Sequence, residues 1–173
     1  MKVISNDRLF GFPDEVNEKA ARTVACGVVL LVVSTELSRS WIPLVLLTYG
    51  FLARVATGPK LSPLGQIATR FVAPRLGLAT MTAGKPKRFA QGIGASFSLV
   101  VLVLYLTHHV NVGLYLLWIL GAFALMEAGL GLCVGCKIFG ILQRSGIVAE
   151  VCAECNDIFS RRRSTQALSN NGE

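Results

Sequence analysis

Four cysteines near the end of the chain form two C-x-x-C pairs. Cys133 and Cys136 lie in LCVGCK, Cys152 and Cys155 lie in VCAECN, and fifteen residues separate the pairs. This spacing is typical of a zinc site, because Zn²⁺ takes four thiolate ligands in a tetrahedron. We therefore expect a metal site formed by all four cysteines, with zinc as the ion. An iron–sulfur cluster is the alternative metal centre, since it also uses four thiolates.

Thiol chemistry is the other hypothesis for the same residues. One pair would attack a partner disulfide or carry a persulfide, and the other pair would resolve the product. We expect the first pair at the C-terminal end of an apolar helix, where the helix dipole disfavours a thiolate. Three acidic residues, Glu150, Glu154 and Asp157, surround the second pair and raise thiol pKa values. Both effects favour a metal, because a bound ion deprotonates its ligands.

Glu127 is the second candidate for chemistry. It is the only acidic residue in the last two apolar segments and precedes Cys133 by six residues, which is about 9 Å along a helix. A carboxylate within a membrane span is a functional candidate because an unpaired charge there is costly. The functional hypothesis is that Glu127 relays a proton as a catalytic group or pairs with Arg22 or Arg54. The alternative is a structural hydrogen bond into the glycine-rich helix packing, or a protonated carboxyl.

The composition indicates an integral membrane protein. Of 173 residues, 53% are hydrophobic and 16% are charged, whereas soluble domains average about 25% charged residues. No acidic residue occurs between Glu36 and Glu127. The net charge of +7 does not indicate nucleic-acid binding, because no aromatic residues are interleaved with the basic ones to stack bases.

Four apolar segments predict an all-α bundle with four transmembrane helices. They cover residues 21–36, 41–57, 91–107 and 112–132. A span takes about 20 residues, so the last two are long enough and the first two are marginal. A re-entrant hairpin is the alternative for the first two. We expect the first helix to extend back to Asp14, directly after Pro13.

The basic residues predict the orientation of these spans. Of the 17 Lys and Arg residues, all but Arg39 lie in the N-terminal arm, around the loop between the second and third segments, or after the fourth. The positive-inside rule therefore places both termini, this loop and the cysteines on the cytoplasmic side. The protein is expected to be a multi-pass protein of the bacterial inner membrane, surrounded by the lipid bilayer.

The middle loop predicts a short amphipathic helix. Ser62 would cap it, Pro63 would occupy its first turn and Pro74 would end it. Its apolar residues follow helical spacing, which suits a helix lying in the inner headgroup region. The helix is either a passive anchor or a site that recognises anionic lipid or a partner.

Three sequence stretches carry a resemblance to a known family. They are GPKLSPLG after the second segment, PKRFAQGIGA before the third, and ALMEAGLGLCVGCKIF in the fourth. From about Val16 to Asp157 the chain resembles a bacterial membrane family, domain of unknown function 4395. The resemblance implies a four-span inner-membrane protein with cytoplasmic cysteines and brings no established activity. It also implies a link to thioredoxin-like and sulfur-transfer proteins.

These observations lead to two functional hypotheses. The first is a membrane-anchored thiol- or sulfur-handling protein that works with a soluble thioredoxin-like or rhodanese-like partner. The second is a non-enzymatic scaffold or transporter component with a structural zinc site, so enzymatic activity is left open. Small residues in the last two spans favour close helix packing, within the chain or in a homodimer. The predicted parts are an N-terminal arm (1–13), a four-helix membrane domain (14–142), a cytoplasmic cysteine tail (143–160) and a disordered C-terminus (161–173).

Overall fold

The computed structural model describes Pro13, residues 15–77 and residues 80–145. This part of the chain is almost entirely helical. In chain order its elements are β1 (Glu15–Asn17), α1 (Glu18–Ser38), α2 (Trp41–Thr57), α3 (Pro63–Ile67), a π-helical turn (Ala68–Val72), a 3₁₀ turn (Ala73–Leu76), β2 (Met81–Ala83), α4 (Gly84–Leu106), α5 (Val110–Leu130) and α6 (Val134–Arg144). The expected helical fold class is confirmed, and two three-residue strands are added to it.

Three helices of the described chain are long and apolar enough to cross a membrane. These are α1, α4 and α5, with 21, 23 and 21 residues. The apolar helix α2 has 17 residues, a length of about 26 Å at 1.5 Å per residue, and the hydrocarbon core of a bilayer is about 30 Å thick. The length and composition of these three helices suggest a membrane protein.

The long helices pack around one apolar core. α4 packs against both α2 and α5, and α1 packs against the same two helices. Nine buried side chains form this core: Val28, Val32, Leu44, Leu47, Phe51, Ala95, Val101, Leu117 and Leu120. The outer faces are apolar as well, with Leu37, Leu106 and Tyr115 all more than two-thirds exposed (83%, 71% and 74%). Large apolar side chains directed outward suit a lipid environment and would be a liability in water.

A two-stranded antiparallel ladder joins the starts of α1 and α4. Val16 pairs with Thr82 at its centre, and Glu18 N donates to Thr80 O at 2.8 Å. The expected helix start at Asp14 is therefore wrong: α1 begins at Glu18, and Asn17 caps it by accepting a hydrogen bond from Lys19 N. The strand pairing uses the backbone groups that a helical turn there would need.

The amphipathic segment between α2 and β2 is helical, as expected, and longer than expected. Ser62 caps α3 by accepting a hydrogen bond from Gly65 N, and Pro63 lies in the first turn. Pro74 does not end the segment, which continues as a 3₁₀ turn to Leu76 and ends at Gly77, with φ of 86°. Its small residues pack on α1, and Phe71 is 59% exposed.

Candidate functional site

A break after α5 controls where the first cysteine pair lies. α5 ends at Leu130, and Gly131 adopts a left-handed conformation with φ of 68°. Gly131 N donates to Glu127 O at 3.0 Å, and Leu132 N donates to Met126 O at 3.4 Å. The bond from Gly131 N to Glu127 O is that of an αL helix end, which favours glycine because other residues are strained at positive φ.

Cys133 is consequently the N-cap of a new helix. Its Sγ accepts a hydrogen bond from Cys136 N at 3.4 Å, and its carbonyl accepts one from Lys137 N at 3.1 Å. The expectation that the C-x-x-C lies at the C-terminal end of the fourth apolar helix is therefore wrong. Both thiols lie at the N-terminus of α6, where the dipole and the free N–H groups favour a thiolate. The helix is 11 residues long.

The two thiols of this pair are unequal. The Cys136 thiol donates a hydrogen bond to Cys133 Sγ, which lowers the pKa of Cys133 below its ordinary value of 9.0, and the Lys87 ammonium acts in the same direction. Burial and the Glu127 carboxylate oppose this shift without reversing it. The same hydrogen bond, followed by burial, raises the pKa of Cys136. Cys133 is therefore the first thiol of the pair to lose its proton.

Glu127 pairs with Lys87. Lys87 Nζ lies 2.5 Å from Glu127 Oε1, and the two side chains are only 9% and 16% exposed. The partners expected from sequence were Arg22 and Arg54, and neither forms this ion pair. Arg22 instead donates to the carbonyls of Ala128 and Gly129, which are among the last carbonyls of α5 and lack helical partners.

Arg54 forms a second buried polar group beside Gln91. It is 4% exposed, and its guanidinium carbon lies 4.7 Å from the centre of the Phe51 ring. Arg54 Nε donates to Gln91 Oε1 at 2.7 Å, and Nη1 donates to Ser62 Oγ at 3.1 Å. Its Nη2 has no hydrogen-bond partner among the described residues.

Close packing of α6 on α4 holds the thiols near Lys87. A Cβ on Gly135 would lie 2.7 Å from the Ala90 Cα, so only glycine permits this approach. One turn further along, the rings of Phe89 and Phe139 are 5.5 Å apart, centre to centre. Since Lys87 precedes Ala90 by less than one turn of α4, this contact brings the ammonium to the start of α6.

Lys87 and Gln91 were not predicted as site residues. Lys87 was expected in the loop before the third span, whereas α4 begins at Gly84 and includes it. An available signal was the spacing of Lys87 and Gln91, which are four residues apart and share one helix face.

A small cavity lies beside Cys133. It has a volume of about 80 Å³ and is bounded by residues of α1, α2, α4, α5 and α6. Most of the lining side chains are apolar or small, and the polar groups in the wall are Gln91, Glu127 and Cys133. One thiol of the pair is therefore reached from an apolar space within the bundle.

The second cysteine pair, Cys152 and Cys155, lies outside the described residues, as does the predicted tail from residue 146 onward. Between residues 13 and 145, without the undescribed positions, no group of three His, Cys, Asp or Glu side chains could hold a metal ion. Cys133 and Cys136 fit half of a four-thiolate site, and the zinc or iron–sulfur centre stays a prediction.

Comparison with known proteins gives one match. Neither a curated protein nor a solved structure matches the chain. The model of one protein family, described as "Domain of unknown function (DUF4395)", matches residues 16–144, which include the ion pair and the first C-x-x-C. Because this match covers well over half of the 173 residues, the chain belongs to the family DUF4395.

Proposed function

We propose that the chain is a membrane-anchored dithiol protein in which Cys133 and Cys136 exchange electrons with a disulfide of a soluble, thioredoxin-like partner. The observation that carries this proposal is the position of Cys133 as the N-cap of α6. A thiolate there is stabilised by the helix N-terminus. The lowered pKa of Cys133 and the raised pKa of Cys136 support a division into an attacking and a resolving cysteine.

The exchange would proceed in two balanced steps. The Cys133 thiolate attacks one sulfur of the partner disulfide, which forms a mixed disulfide and releases the other partner sulfur as a thiolate. Cys136 then loses its proton and attacks Cys133 Sγ, which forms the Cys133–Cys136 disulfide and releases the second partner thiolate. The partner is reduced by two electrons, and the dithiol is oxidised by two.

Glu127 is the group we assign to take the Cys136 proton. Its carboxylate lies in the same buried cluster and influences both thiols electrostatically. The ion pair with Lys87 holds the carboxylate in this cluster. Glu127→Gln retains the shape of the side chain and removes the capacity to accept a proton.

We also propose that α2 crosses the membrane, which gives four spans with both termini on the cytoplasmic side. The distribution of basic residues supports this orientation. In a variant without native cysteines, a cysteine replacing Val110 should react with an impermeant maleimide added outside intact cells, and one replacing Ser145 should not. The reverse pattern would contradict the proposed orientation.

The experiment for the exchange itself is a redox titration of purified full-length protein in detergent. Mass spectrometry after alkylation should show a Cys133–Cys136 disulfide at oxidising potentials. Cys136→Ser should trap a mixed disulfide with a thioredoxin-like protein, whereas Cys133→Ser should not. If Cys136→Ser traps no more than Cys133→Ser, Cys133 is not the attacking group.

A zinc site of four thiolates is the second candidate function. One support is the spacing of the two C-x-x-C pairs. The other is the hydrogen bond that Cys136 N donates to Cys133 Sγ, because it would also stabilise a metal-bound thiolate. Metal analysis of the purified chain tests it. About one zinc per chain, lost in both Cys133→Ser and Cys152→Ser, would favour a structural metal over dithiol exchange.

A further inference from the structure

The cavity beside Cys133 combines three properties that are not required for exchange with a soluble protein. Its walls are largely apolar, it lies among helices able to cross a membrane, and a redox-capable thiol forms part of its lining. Because Cys133 is only 9% exposed, a reactant small enough to enter the bundle would reach this thiol more directly than a protein would.

We propose that a membrane-soluble quinone is the electron acceptor of the Cys133–Cys136 dithiol and that its ring enters this cavity. The inference rests on the dithiol exchange proposed above and adds the second substrate of the same site. For the cycle to close, the exchange proposed above runs in reverse after each quinone is reduced. The dithiol form of the soluble partner reduces the Cys133–Cys136 disulfide and is itself oxidised to a disulfide.

Gln91 supplies a hydrogen-bond donor suited to a quinone carbonyl. Arg54 Nε donates to Gln91 Oε1 at 2.7 Å, which fixes the orientation of the amide. The amide NH₂ is left with no hydrogen-bond partner in the described part of the chain, and Gln91 lines the cavity. Quinone oxygens only accept hydrogen bonds, so this donor matches them.

The buried charges also match a quinone that is being reduced. Arg54 and Lys87 are two buried cations, and Glu127 forms its ion pair with Lys87. Arg54 donates to Gln91, which lines the cavity. Negative charge that develops on a quinone oxygen beside Gln91 would therefore be stabilised by a nearby cation.

The size of the cavity limits how the ring would bind. Its volume of about 80 Å³ is about half of the 150 Å³ that holds a benzene molecule in an engineered protein cavity. Only part of a quinone ring fits without movement, so the ring would enter with one carbonyl edge first. Small residues in the cavity wall, including Ala25 and Ala124, leave room for this edge of the ring.

The reaction balances with one proton taken from water. Starting from the Cys133 thiolate and the Cys136 thiol, one S–H bond breaks and one S–S bond forms between the two sulfurs. The two electrons released, the Cys136 proton and the proton from water convert one quinone into one quinol. The expected stoichiometry is therefore one quinol for each disulfide formed.

The test uses purified, prereduced full-length protein in detergent under anaerobic conditions, with decylubiquinone as the probe. Quinone absorbance and the Cys133–Cys136 disulfide are followed together, and exchange with a soluble aromatic disulfide reagent is measured in parallel. Ala124→Leu extends a side chain into the cavity from α5, and Ala25→Val narrows it from α1. Ala122→Leu makes the same change as Ala124→Leu at an exposed position of α5 outside the cavity lining.

We expect Ala124→Leu and Ala25→Val to lower the quinone rate about tenfold to a hundredfold relative to the exchange rate, since misplacement by about 1 Å has effects of this size. Ala122→Leu should leave the ratio of the two rates unchanged. If the wild-type dithiol exchanges with the soluble reagent and does not reduce the quinone, the quinone inference is wrong and the proposed function stands. Equal effects of Ala124→Leu and Ala122→Leu would refute binding in the cavity. No Cys133–Cys136 disulfide at any potential would overturn both proposals.

Discussion

Removal of Lys87 should destabilise the protein more than removal of Lys87 and Glu127 together. Lys87→Met leaves the Glu127 carboxylate buried without its partner, and both side chains are well below one-third exposed, so solvent screening reduces the cost little. Breaking a buried ion pair in this way costs about 3–5 kcal/mol, whereas replacing both partners with apolar residues is often neutral or stabilising. The double variant Lys87→Met/Glu127→Leu should therefore recover most of the loss.

The assay is reversible unfolding of the detergent-solubilised, reduced protein, followed by circular dichroism at one pH and one detergent concentration. The free energies of unfolding of the wild type, both single variants and the double variant form a double-mutant cycle. Lys85→Met is the matched control, because Lys85 lies two residues away on α4 and is exposed, and its effect should stay within about 0.5 kcal/mol. Single-variant losses that simply add in the double variant would refute a buried, coupled pair.

Two further predictions concern the start of α6 and its thiols. Gly135→Ala should destabilise the protein by about 1–3 kcal/mol, because the new Cβ would lie 2.7 Å from the Ala90 Cα. Gly140→Ala is the control in the same helix: its Cβ meets nothing within 4 Å, so it should stabilise the protein by up to about 1 kcal/mol. Equal effects in thermal unfolding would contradict the close approach of α6 to α4. Alkylation of Cys133 should reach half its maximal rate below pH 9.0 and at a lower pH than alkylation of Cys136, because the pKa of Cys133 is lowered and that of Cys136 is raised. Glu127→Gln should move the pH midpoint of Cys133 alkylation still lower, because the Glu127 carboxylate raises the pKa of Cys133. An unchanged or higher midpoint would show that Glu127 does not act on this thiol.

The apolar helices could be predicted from sequence because their information is local. The segment 41–57 coincides with α2, and the last two segments fall within a few residues of α4 and α5. α4 starts earlier than predicted because its charged first turns resemble a loop. Lys87 is tolerated there through its pairing with Glu127, a residue 40 positions away, and such a long-range contact leaves no local pattern.

The chemistry of the C-x-x-C could be predicted only in part. The residues and their spacing were visible, but the electrostatic prediction depended on whether one helix continued through Gly131. Composition there favours a continuous helix, and Gly131 looks like another small packing residue. Two signals were available. Gly131 follows the last apolar turn, which is typical of a helix end, and Cys133 precedes Cys136 by three residues, the spacing of an N-cap to the N–H that it accepts from.

The short connection at Gly131 also determines how far the thiols can travel. Three residues, 131–133, separate the end of α5 from the start of α6, and an extended chain of that length spans about 10 Å. The dithiol is therefore not a swinging arm that shuttles between distant sites. If α5 crosses the bilayer, each reactant must come to a fixed point at the membrane boundary. Tethering a soluble partner to the chain by a flexible linker would then accelerate exchange by raising its effective concentration at that point.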